Sequence, residues 1–434
     1  MKYLWFGIAY IIFQTTFAQE EKLEQVKDKY EPYYEEMNLR MGILLKKDGV
    51  YTEERINFLQ GNQNKVFNIG SATKTFTAVL ILQEMEKGNL KLSDSIGSFL
   101  SSIPNIDGTV TIEQLLRHQT GFGEIVGDQE WDAYDDPDDQ LFRQDLFRNV
   151  PERDTSKIDK FQYTNTNFIL LGEILEKVND ESYFELLKKR IFEPCSMYNS
   201  YPYVSRTIPN LVHPTNEKEY KDVYSGINYK FFANYAFAAG SIASSLEDMV
   251  RFYEHLYEKE TLLSKETFAL MIDFKNGSYG LGIEKLVVNG KTFIGHGGNN
   301  QGYAYRNYYN PENGDMVLYY NNRFRTVLKN VLLADLMDLL NGRAITDFRK
   351  DIAKEFSGFV GEYKLEGPNL KFSIKRENDI LFLTAEGFKA PLVSYTTGIL
   401  FDGTSGIGFT KDAANEGQLI FKQAGQELVA TKIN

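Results

Sequence analysis

The 434-residue sequence contains one cysteine, Cys195, and only four histidines. A single cysteine excludes an internal disulfide framework and any zinc or iron–sulfur site built on cysteines. The histidines do not form the H-E-x-x-H pattern of zinc hydrolases, so we expect neither a metal ion nor a cofactor. Basic residues are outnumbered, 48 against 60 acidic ones, which gives a net charge of −12. This balance argues against a nucleic-acid partner, which would need a basic face.

Long apolar runs are also rare, and the clearest one lies at the N-terminus. Lys2 precedes the apolar run Tyr3–Phe13, and Thr16 and Ala18 supply small residues for a cleavage site. This pattern predicts a signal peptide over residues 1–18, the alternative being a buried N-terminal helix. The run is too short to span a bilayer and no cysteine lies near the cut. We therefore expect a periplasmic or secreted protein without a stable membrane anchor.

Hydrophobic residues are abundant, at 42% of the sequence, and aromatic residues make up 14%. This composition excludes intrinsic disorder. Residues 19–345 have strand patterns at both ends and helical periodicity between them, which predicts an α+β domain with an antiparallel sheet packed by helices. Residues 346–434 alternate in short, glycine-punctuated runs, which predicts a small all-β domain. The patterns indicate a surface helix over Glu20–Met37, a hairpin over Met41–Phe58, further helices at Ser71–Gly88, Ile112–Arg117, Asn167–Val178, Tyr183–Phe192, Leu246–Tyr257 and Thr326–Leu340, and strands at Tyr279–Val288, Lys291–Gly297, Tyr303–Tyr309 and Met316–Asn321.

The first chemical motif is Ser71-Ala72-Thr73-Lys74, at the start of a predicted helix. Residues three apart share a helix face, so the serine hydroxyl and the lysine amine can meet. Serine needs a neighbouring base to act as a nucleophile, and lysine serves as one only if burial lowers its pKa. The Ser71 N–H at a helix start is also a candidate oxyanion donor. The alternative is a capping serine beside a solvent-facing lysine.

A second motif, Tyr163-Thr164-Asn165, lies in a polar loop directly before a predicted helix. Four other Y-x-N patterns begin at Tyr305, Tyr308, Tyr319 and Tyr320, but these fall in predicted strands. Only Tyr163 therefore has the context of a proton relay held against a lysine, with Asn165 positioning the amine and the substrate.

The third motif, His296-Gly297-Gly298, is the one H-x-G of the sequence and follows a predicted strand. Glycines at this place let a substrate backbone lie against the strand edge, and the Asn299 N–H is a candidate second oxyanion donor. A histidine alone is more often a surface or core residue, and we expect His118 to be structural.

Together these segments resemble the β-lactamase-related serine hydrolases, which include class C β-lactamases, D-alanyl-D-alanine carboxypeptidases, D-aminopeptidases and esterases. The resemblance covers roughly residues 42–340 and rests on ordered blocks: Phe67 to Ala78, Thr111 to Phe122, Tyr163 to Asn167, Ala238 to Ile242 and Gly295 to Gly302. It implies a β-lactamase/transpeptidase-like domain with a mainly helical subdomain.

The resemblance implies that Ser71 is the acylated nucleophile, Lys74 its base partner, Tyr163 the proton relay and His296 the third-motif residue. Asn165, Gly297, Gly298 and Asn299 would contact the substrate.

One departure from the family pattern concerns the third motif. A histidine stands where β-lactamases carry the lysine of K-T-G, and no K-T-G occurs in the sequence. Histidine is mostly neutral at pH 7, so a fixed charge for a substrate carboxylate is missing unless Arg306 supplies it.

We therefore expect an exported serine hydrolase that forms an acyl-enzyme on a small ester, a D-aminoacyl peptide or a β-lactam-like substrate. The alternative is a non-catalytic, sensor-type penicillin-binding-like protein that binds peptidoglycan fragments. The acidic stretch Glu124–Asp139 lacks calcium-loop spacing and is interpreted as a solvated loop. The sequence does not indicate an oligomeric state.

Overall fold

The structure is a computed structural model that describes residues 20–58, 65–126, 141–148, 150–215, 221–275, 277–288, 290–323, 328–367, 370–423 and 426–433. The predicted signal peptide and most of the acidic stretch lie outside these ranges. Within them, no helix is both long enough and apolar enough to cross a membrane.

A seven-stranded antiparallel sheet forms the centre of the first domain. Its strands are β1 (Met41–Lys47), β2 (Val50–Ile56), β5 (Glu284–Val288), β6 (Lys291–Gly295), β7 (Gly298–Asn300), β8 (Tyr303–Tyr309) and β9 (Met316–Asn321), while β3 (Phe67–Asn68) and β4 (Ala243–Ser244) form a separate pair. The strand order in the sheet is β2-β1-β9-β8-β6-β5, and β7 pairs with β8. The early hairpin joins the late strands, since Met41 lies opposite Asn321.

Helices cover both faces of this sheet. They span residues 20–36, Thr73–Glu86, Ile112–Leu116, Arg143–Leu146, Asn165–Asn179, Tyr183–Leu187, Phe237–Gly240, Leu246–Tyr257, Lys265–Met271 and Lys329–Leu340, with π-helical turns at Lys188–Phe192 and Phe232–Ala236 and 3₁₀ turns at Gly70–Ala72, Ile96–Ser98 and Thr155–Lys157.

Two apolar cores result, one on each face of the sheet. The inner core joins the sheet to the helix Thr73–Glu86 and the helical region around it. The outer core joins the opposite face to helices 20–36 and Lys329–Leu340. The first helix therefore lies at the surface along one side only, because Tyr30 and Tyr34 on its other side are fully buried.

Eight short strands close into a barrel at the C-terminal end of the chain. They are β10 (Gly361–Leu365), β11 (Lys371–Glu377), β12 (Ile380–Ala385), β13 (Phe388–Val393), β14 (Leu400–Asp402), β15 (Gly408–Lys411), β16 (Gln418–Gln423) and β17 (Gln426–Lys432), preceded by the helix Ile352–Glu355 and the turn Ser357–Phe359. Phe382 and Val393 of the barrel join the outer core. The barrel therefore packs against the outer helices, and the boundary at 345/346 stays a prediction.

The predicted α+β class with a C-terminal all-β region is confirmed, and the differences are local. The predicted strand Tyr279–Val288 begins only at Glu284, because Gly282 adopts a φ of +73° where its backbone crosses the helix at Ala78. The helix after Tyr163 begins two residues earlier than predicted, at Asn165, because the Thr164 hydroxyl accepts the Thr166 N–H as a cap.

Candidate active site

Ser71 lies in the 3₁₀ turn Gly70–Ala72, immediately before the helix Thr73–Glu86. The side chain of Asn68 holds this turn from both sides. Its carbonyl oxygen accepts the Gly70 N–H at 3.0 Å, and its amide donates to the carbonyls of residues 240–242. Gly70 has a φ of +51°, a conformation that favours glycine. The serine is thus fixed at the start of the helix, as its spacing from Lys74 predicts.

The Lys74 amine contacts three oxygen atoms, none of which belongs to a carboxylate. Its Nζ lies 3.1 Å from Ser71 Oγ, 2.8 Å from Asn165 Oδ1 and 2.8 Å from the Ala239 carbonyl. The side chain is fully buried. The structure therefore brings together the serine, the lysine and the asparagine that the first two motifs supply.

Burial lowers the pKa of Lys74 to about 7, because the charged amine loses its hydration there. The negative charges of Glu124 and Glu284 act in the opposite direction. Near neutral pH a large fraction of this amine is unprotonated, which is the condition for accepting the proton of Ser71.

Glu124 is a residue of this site that the sequence interpretation missed. Its Oε2 accepts the Asn165 backbone N–H at 2.8 Å and the Asn165 side-chain amide at 3.1 Å. Glu124 is the first residue of the stretch that the sequence predicts to be a solvated loop. Its carboxylate is instead bonded within the site, where it orients the Asn165 amide that contacts Lys74. Its position two residues beyond the end of the block Thr111 to Phe122 of the family resemblance is the signal that the sequence offers.

Tyr163 lies in the loop before the helix Asn165–Asn179, with its ring centroid 5.0 Å from Lys74 Nζ. It lines the cleft together with Ser71, and 39% of the residue surface is exposed. Desolvation of the hydroxyl raises its pKa above the usual value, and the neighbouring Ser71 side chain opposes this only in part. Tyr163 is therefore a neutral phenol that can pass a proton on.

His296 directly follows β6, and 99% of its surface is buried. Its Nδ1 donates to the Gly297 carbonyl at 2.5 Å, which leaves Nε2 to accept the hydroxyl of Tyr279 at 2.8 Å. Burial lowers the pKa of His296, and Glu284 opposes the shift. The imidazole is therefore neutral at pH 7, and its two nitrogens are engaged with the protein itself.

Gly298 is required by the protein's own backbone, whereas a Cβ on Gly297 would meet the side chain of Arg306. A Cβ on Gly298 would collide with the Ile69 carbonyl oxygen, and one on Gly70 would lie 2.8 Å from the Asn299 nitrogen. Strand β7 therefore packs directly on the nucleophile turn, and the substrate contact of Gly298 stays a prediction. Asn299 comes beside Ser71, and the two oxyanion donors stay a prediction.

Ser71 opens on two spaces of very different size. One is a cleft of about 400 Å³, and the other is a recess of about 10 Å³, which is the space for one water molecule. The cleft is lined by Ser71, Tyr163, Asn165, Glu284, His296, Gly297, Gly298, Asn299 and Arg306. The recess is lined by Ser71, Val126, Asn165, Phe231, Tyr235, Ala236, Ala239, Gly240, Asn299 and Asn300. Seven of the eight predicted site residues line the cleft, and the eighth, Lys74, contacts Ser71 through its amine.

Arg306 also faces the cleft, which the sequence could not decide. Its Nη1 donates to the carbonyls of Gly298 at 3.2 Å and Tyr305 at 2.6 Å and to Asn299 Oδ1 at 3.3 Å. A fixed positive charge therefore lies beside the third motif, although the residue of that motif is a histidine.

His118 is a buried neighbour of the site rather than part of the cleft lining. It follows Arg117, the C-cap of the helix Ile112–Leu116, and has a φ of +54°, and its Nδ1 accepts the Thr164 N–H at 3.3 Å. Burial keeps the pKa of His118 well below its usual value. Its place behind the Tyr163 loop agrees with the predicted structural role.

Comparison with known proteins identifies one matching family. The family model named Beta-lactamase matches residues 52–341. PbpX of Bacillus subtilis (strain 168), named as a penicillin-binding protein, is 28% identical over 257 residues, which are 57% of this chain and 60% of PbpX, less than two thirds of its length. Penicillin-binding protein 4* of the same strain is 26% identical over 357 residues, 75% of this chain and 77% of that protein. Teichoic acid D-alanine hydrolase of Staphylococcus aureus (strain MRSA252) is 21% identical over 279 residues, 60% of this chain and 67% of that protein.

Solved structures show the same fold. An octameric penicillin-binding protein homologue from Pyrococcus abyssi has a TM-score of 0.64 at 21% identity and covers 94% of this chain and 100% of its own. A D-stereospecific amidohydrolase from Streptomyces sp. has a TM-score of 0.61 at 22% identity, covering 74% of this chain and 97% of its own.

Proposed function

Because the chain belongs to the β-lactamase-related family of serine hydrolases, we propose that it hydrolyses esters or amides of small acyl groups through an acyl-enzyme on Ser71. The observation that carries this proposal is the buried Lys74 amine, 3.1 Å from Ser71 Oγ and with a pKa of about 7. A structural lysine has no need of such a contact, whereas a base requires it.

In the acylation step, Lys74 takes the proton of Ser71 while Oγ attacks the carbonyl carbon of the substrate. The negative charge that develops on the carbonyl oxygen is met by the N–H groups of Ser71 and Asn299. Tyr163 gives its proton to the leaving alcohol or amine and regains one from Lys74. The products are the Ser71 ester and the free leaving group.

In the deacylation step, water attacks the Ser71 ester. The Lys74 and Tyr163 pair takes one proton of the water, and Ser71 Oγ leaves as a hydroxyl after receiving that proton. The acid is released, and the serine, lysine and tyrosine return to their starting protonation states. Asn165 keeps the lysine aligned throughout, and Glu124 holds the Asn165 amide.

The recess beside Ser71 supports a small acyl group. With room for about one water molecule, it favours a methyl-sized group over a branched or aromatic side chain. The teichoic acid D-alanine hydrolase and the D-stereospecific amidohydrolase among the similar proteins are named for related substrates. We therefore propose an esterase or a D-amino-acid-specific amidase or peptidase. β-Lactam-like substrates stay within the proposed range, because Arg306 lines the cleft with the fixed charge that the neutral His296 lacks.

The test of the acyl-enzyme is covalent labelling. A fluorophosphonate probe should add one group to the full chain, and peptide mapping should locate it on Ser71. Ser71→Ala should lose the label, whereas Ser156→Ala, an exposed serine outside the cleft, should keep it. A label that survives in Ser71→Ala would contradict the proposal.

Export belongs to the same proposal. The N-terminal pattern of residues 1–18 supports a periplasmic or secreted protein, and N-terminal sequencing of the protein from its native host should begin at residue 19. The alternative function, a non-catalytic sensor of peptidoglycan fragments, predicts fragment binding without turnover of any ester or amide.

A further inference from the structure

Glu284 lines the cleft, and the proposed mechanism gives its carboxylate no role. Glu284 begins the edge strand β5, opposite Gly295 of β6. Its side chain is 44% exposed and lines the cleft together with Ser71. One oxygen accepts the Gly297 N–H at 3.3 Å, and the other lies 4.0 Å from His296 Nδ1. The carboxylate is thus held in place and still open to the cleft.

No cation of the protein neutralises this carboxylate at contact distance. Among the residues that the structure describes, no lysine or arginine nitrogen lies within 4 Å of Glu284. His296 is buried and neutral, so its imidazole adds no charge. Arg306 lines the same cleft, but its Nη1 is bonded to oxygens of its own strand region. Glu284 therefore offers an acceptor that a cationic ligand group can complete.

A cationic group of the substrate that binds Glu284 would lie close to the reacting carbonyl. The carboxylate binds the N–H of Gly297, two residues before Asn299, the predicted oxyanion donor. A substrate carbonyl at Ser71 would carry its α-substituents between this carboxylate and the methyl-sized recess. Among the residues that line the cleft, Glu284 carries the carboxylate and Arg306 the positive charge, and the Arg306 Nη1 is held by the carbonyls of Gly298 and Tyr305.

We infer that Glu284 binds the free α-ammonium group of the substrate, so that the enzyme acts on small α-aminoacyl esters or amides in preference to neutral acyl ones. The inference rests on the proposed function and adds to it the substrate class and the residue that selects it. An ammonium needs an acceptor-only partner in a shielded site, and a carboxylate with one bond already made to the backbone is such a partner.

The experiment compares phenyl esters of alanine, in both enantiomers, with phenyl propanoate and N-acetylalanine phenyl ester. Propanoate has the size of alanine without its amino group, and acetylation removes the charge. In the wild-type protein, kcat/KM for the better alanyl enantiomer should exceed that for propanoate at least tenfold. In Glu284→Gln, which keeps the bond to Gly297, this ratio should fall at least fivefold. Glu416→Gln, an exposed barrel residue, removes the same net charge and should leave the ratio at its wild-type value.

The outcomes separate the inference from the function. Hydrolysis of propanoate as fast as of both alanyl esters would overturn the inference and leave the acyl-enzyme in place. An alanyl preference that persists in Glu284→Gln would assign the ammonium to another group and overturn the role of Glu284. No hydrolysis of any ester, together with no label on Ser71, would contradict the proposed function itself. The wild-type comparison needs no variant, so a Glu284→Gln protein that fails to fold does not remove the test.

Discussion

The two faces of the central sheet each bury a lysine, and the two lysines have different partners. On the outer face, Lys29 Nζ lies 2.7 Å from the Asp335 carboxylate, which also accepts the hydroxyl of Tyr30 at 2.7 Å. On the inner face, the Lys74 partners among the described residues are a hydroxyl, an amide oxygen and a backbone carbonyl. Both side chains are almost fully buried. Burial alone therefore does not distinguish a reactive lysine from a structural one.

The difference lies in where the nearest carboxylate stands. Asp335 touches Lys29 directly and forms an ion pair that joins the first helix to the helix Lys329–Leu340. Glu124 is separated from Lys74 by the amide of Asn165, so it acts on the amine only at a distance. An intervening amide thus preserves the low pKa that a direct ion pair would abolish.

The largest expected effect is the loss of activity without Lys74. Lys74→Ala should lower kcat/KM for an ester substrate about 10²- to 10⁴-fold, equal to about 2.7–5.5 kcal/mol, because it removes a positioned proton acceptor. Lys74→Arg should not restore the rate, since a guanidinium does not deprotonate. Lys91→Ala, at an exposed site after the same helix, is the control and should behave as wild type. Near-normal turnover in Lys74→Arg would assign the base elsewhere.

Disrupting the ion pair of the outer lysine, Lys29, should lower stability and leave activity unchanged, the opposite of what is expected for Lys74. Asp335→Asn leaves the Lys29 ammonium buried without its counter-charge, so the free energy of unfolding should fall by about 3–5 kcal/mol. Denaturant unfolding measures this change. The double variant Lys29→Met/Asp335→Leu should recover most of it, and kcat/KM per folded molecule should stay within twofold of wild type. A strong loss of activity in the folded protein would show that the two faces are coupled.

The smallest effect concerns the pH profile. Since the pKa of Lys74 is about 7 and its neutral form is the base, the acylation rate should rise from pH 6 to pH 8 with a midpoint near 7. The negative charge of Glu124 raises that pKa, so Glu124→Gln should move the midpoint to lower pH, by less than about one unit. Single-turnover kinetics with an ester give both midpoints. A shift to higher pH would contradict the role of Glu124.

The sequence predicts the elements that carry a strong local signal. The hairpin of β1 and β2 and the helix after Ser71 follow from turn residues and apolar periodicity, and both are found. Tyr163 is correctly separated from Tyr305 and Tyr319 because loop and strand patterns differ around them. These inferences use residues that are neighbours in the chain.

The remaining features depend on contacts between distant segments. The pairing of β3 with β4 involves two residues on each side, too few for any periodic pattern. Barrel closure joins β10 to β17, and alternation within single strands does not indicate it. The sequence pattern predicts Tyr279 in a strand, whereas in the structure Gly282 turns the chain before β5 and the Tyr279 hydroxyl bonds to His296. Glu284 carried no signal, since one glutamate at the start of a strand is ordinary.

The close packing of Gly298 on the turn at Ser71 has a consequence for the order of folding. The nucleophile turn comes early in the chain and β7 comes late, and the hairpin of β1 likewise waits for β9. Contacts between such distant segments form slowly, because the entropy of closing a long loop is lost before the contacts stabilise the chain. The helix that carries Ser71 and Lys74 can form early, yet Asn299 reaches the serine only when β7 docks. An incompletely synthesised or partly folded chain therefore contains the nucleophile without a complete site, and hydrolytic competence arises as one of the last events of folding.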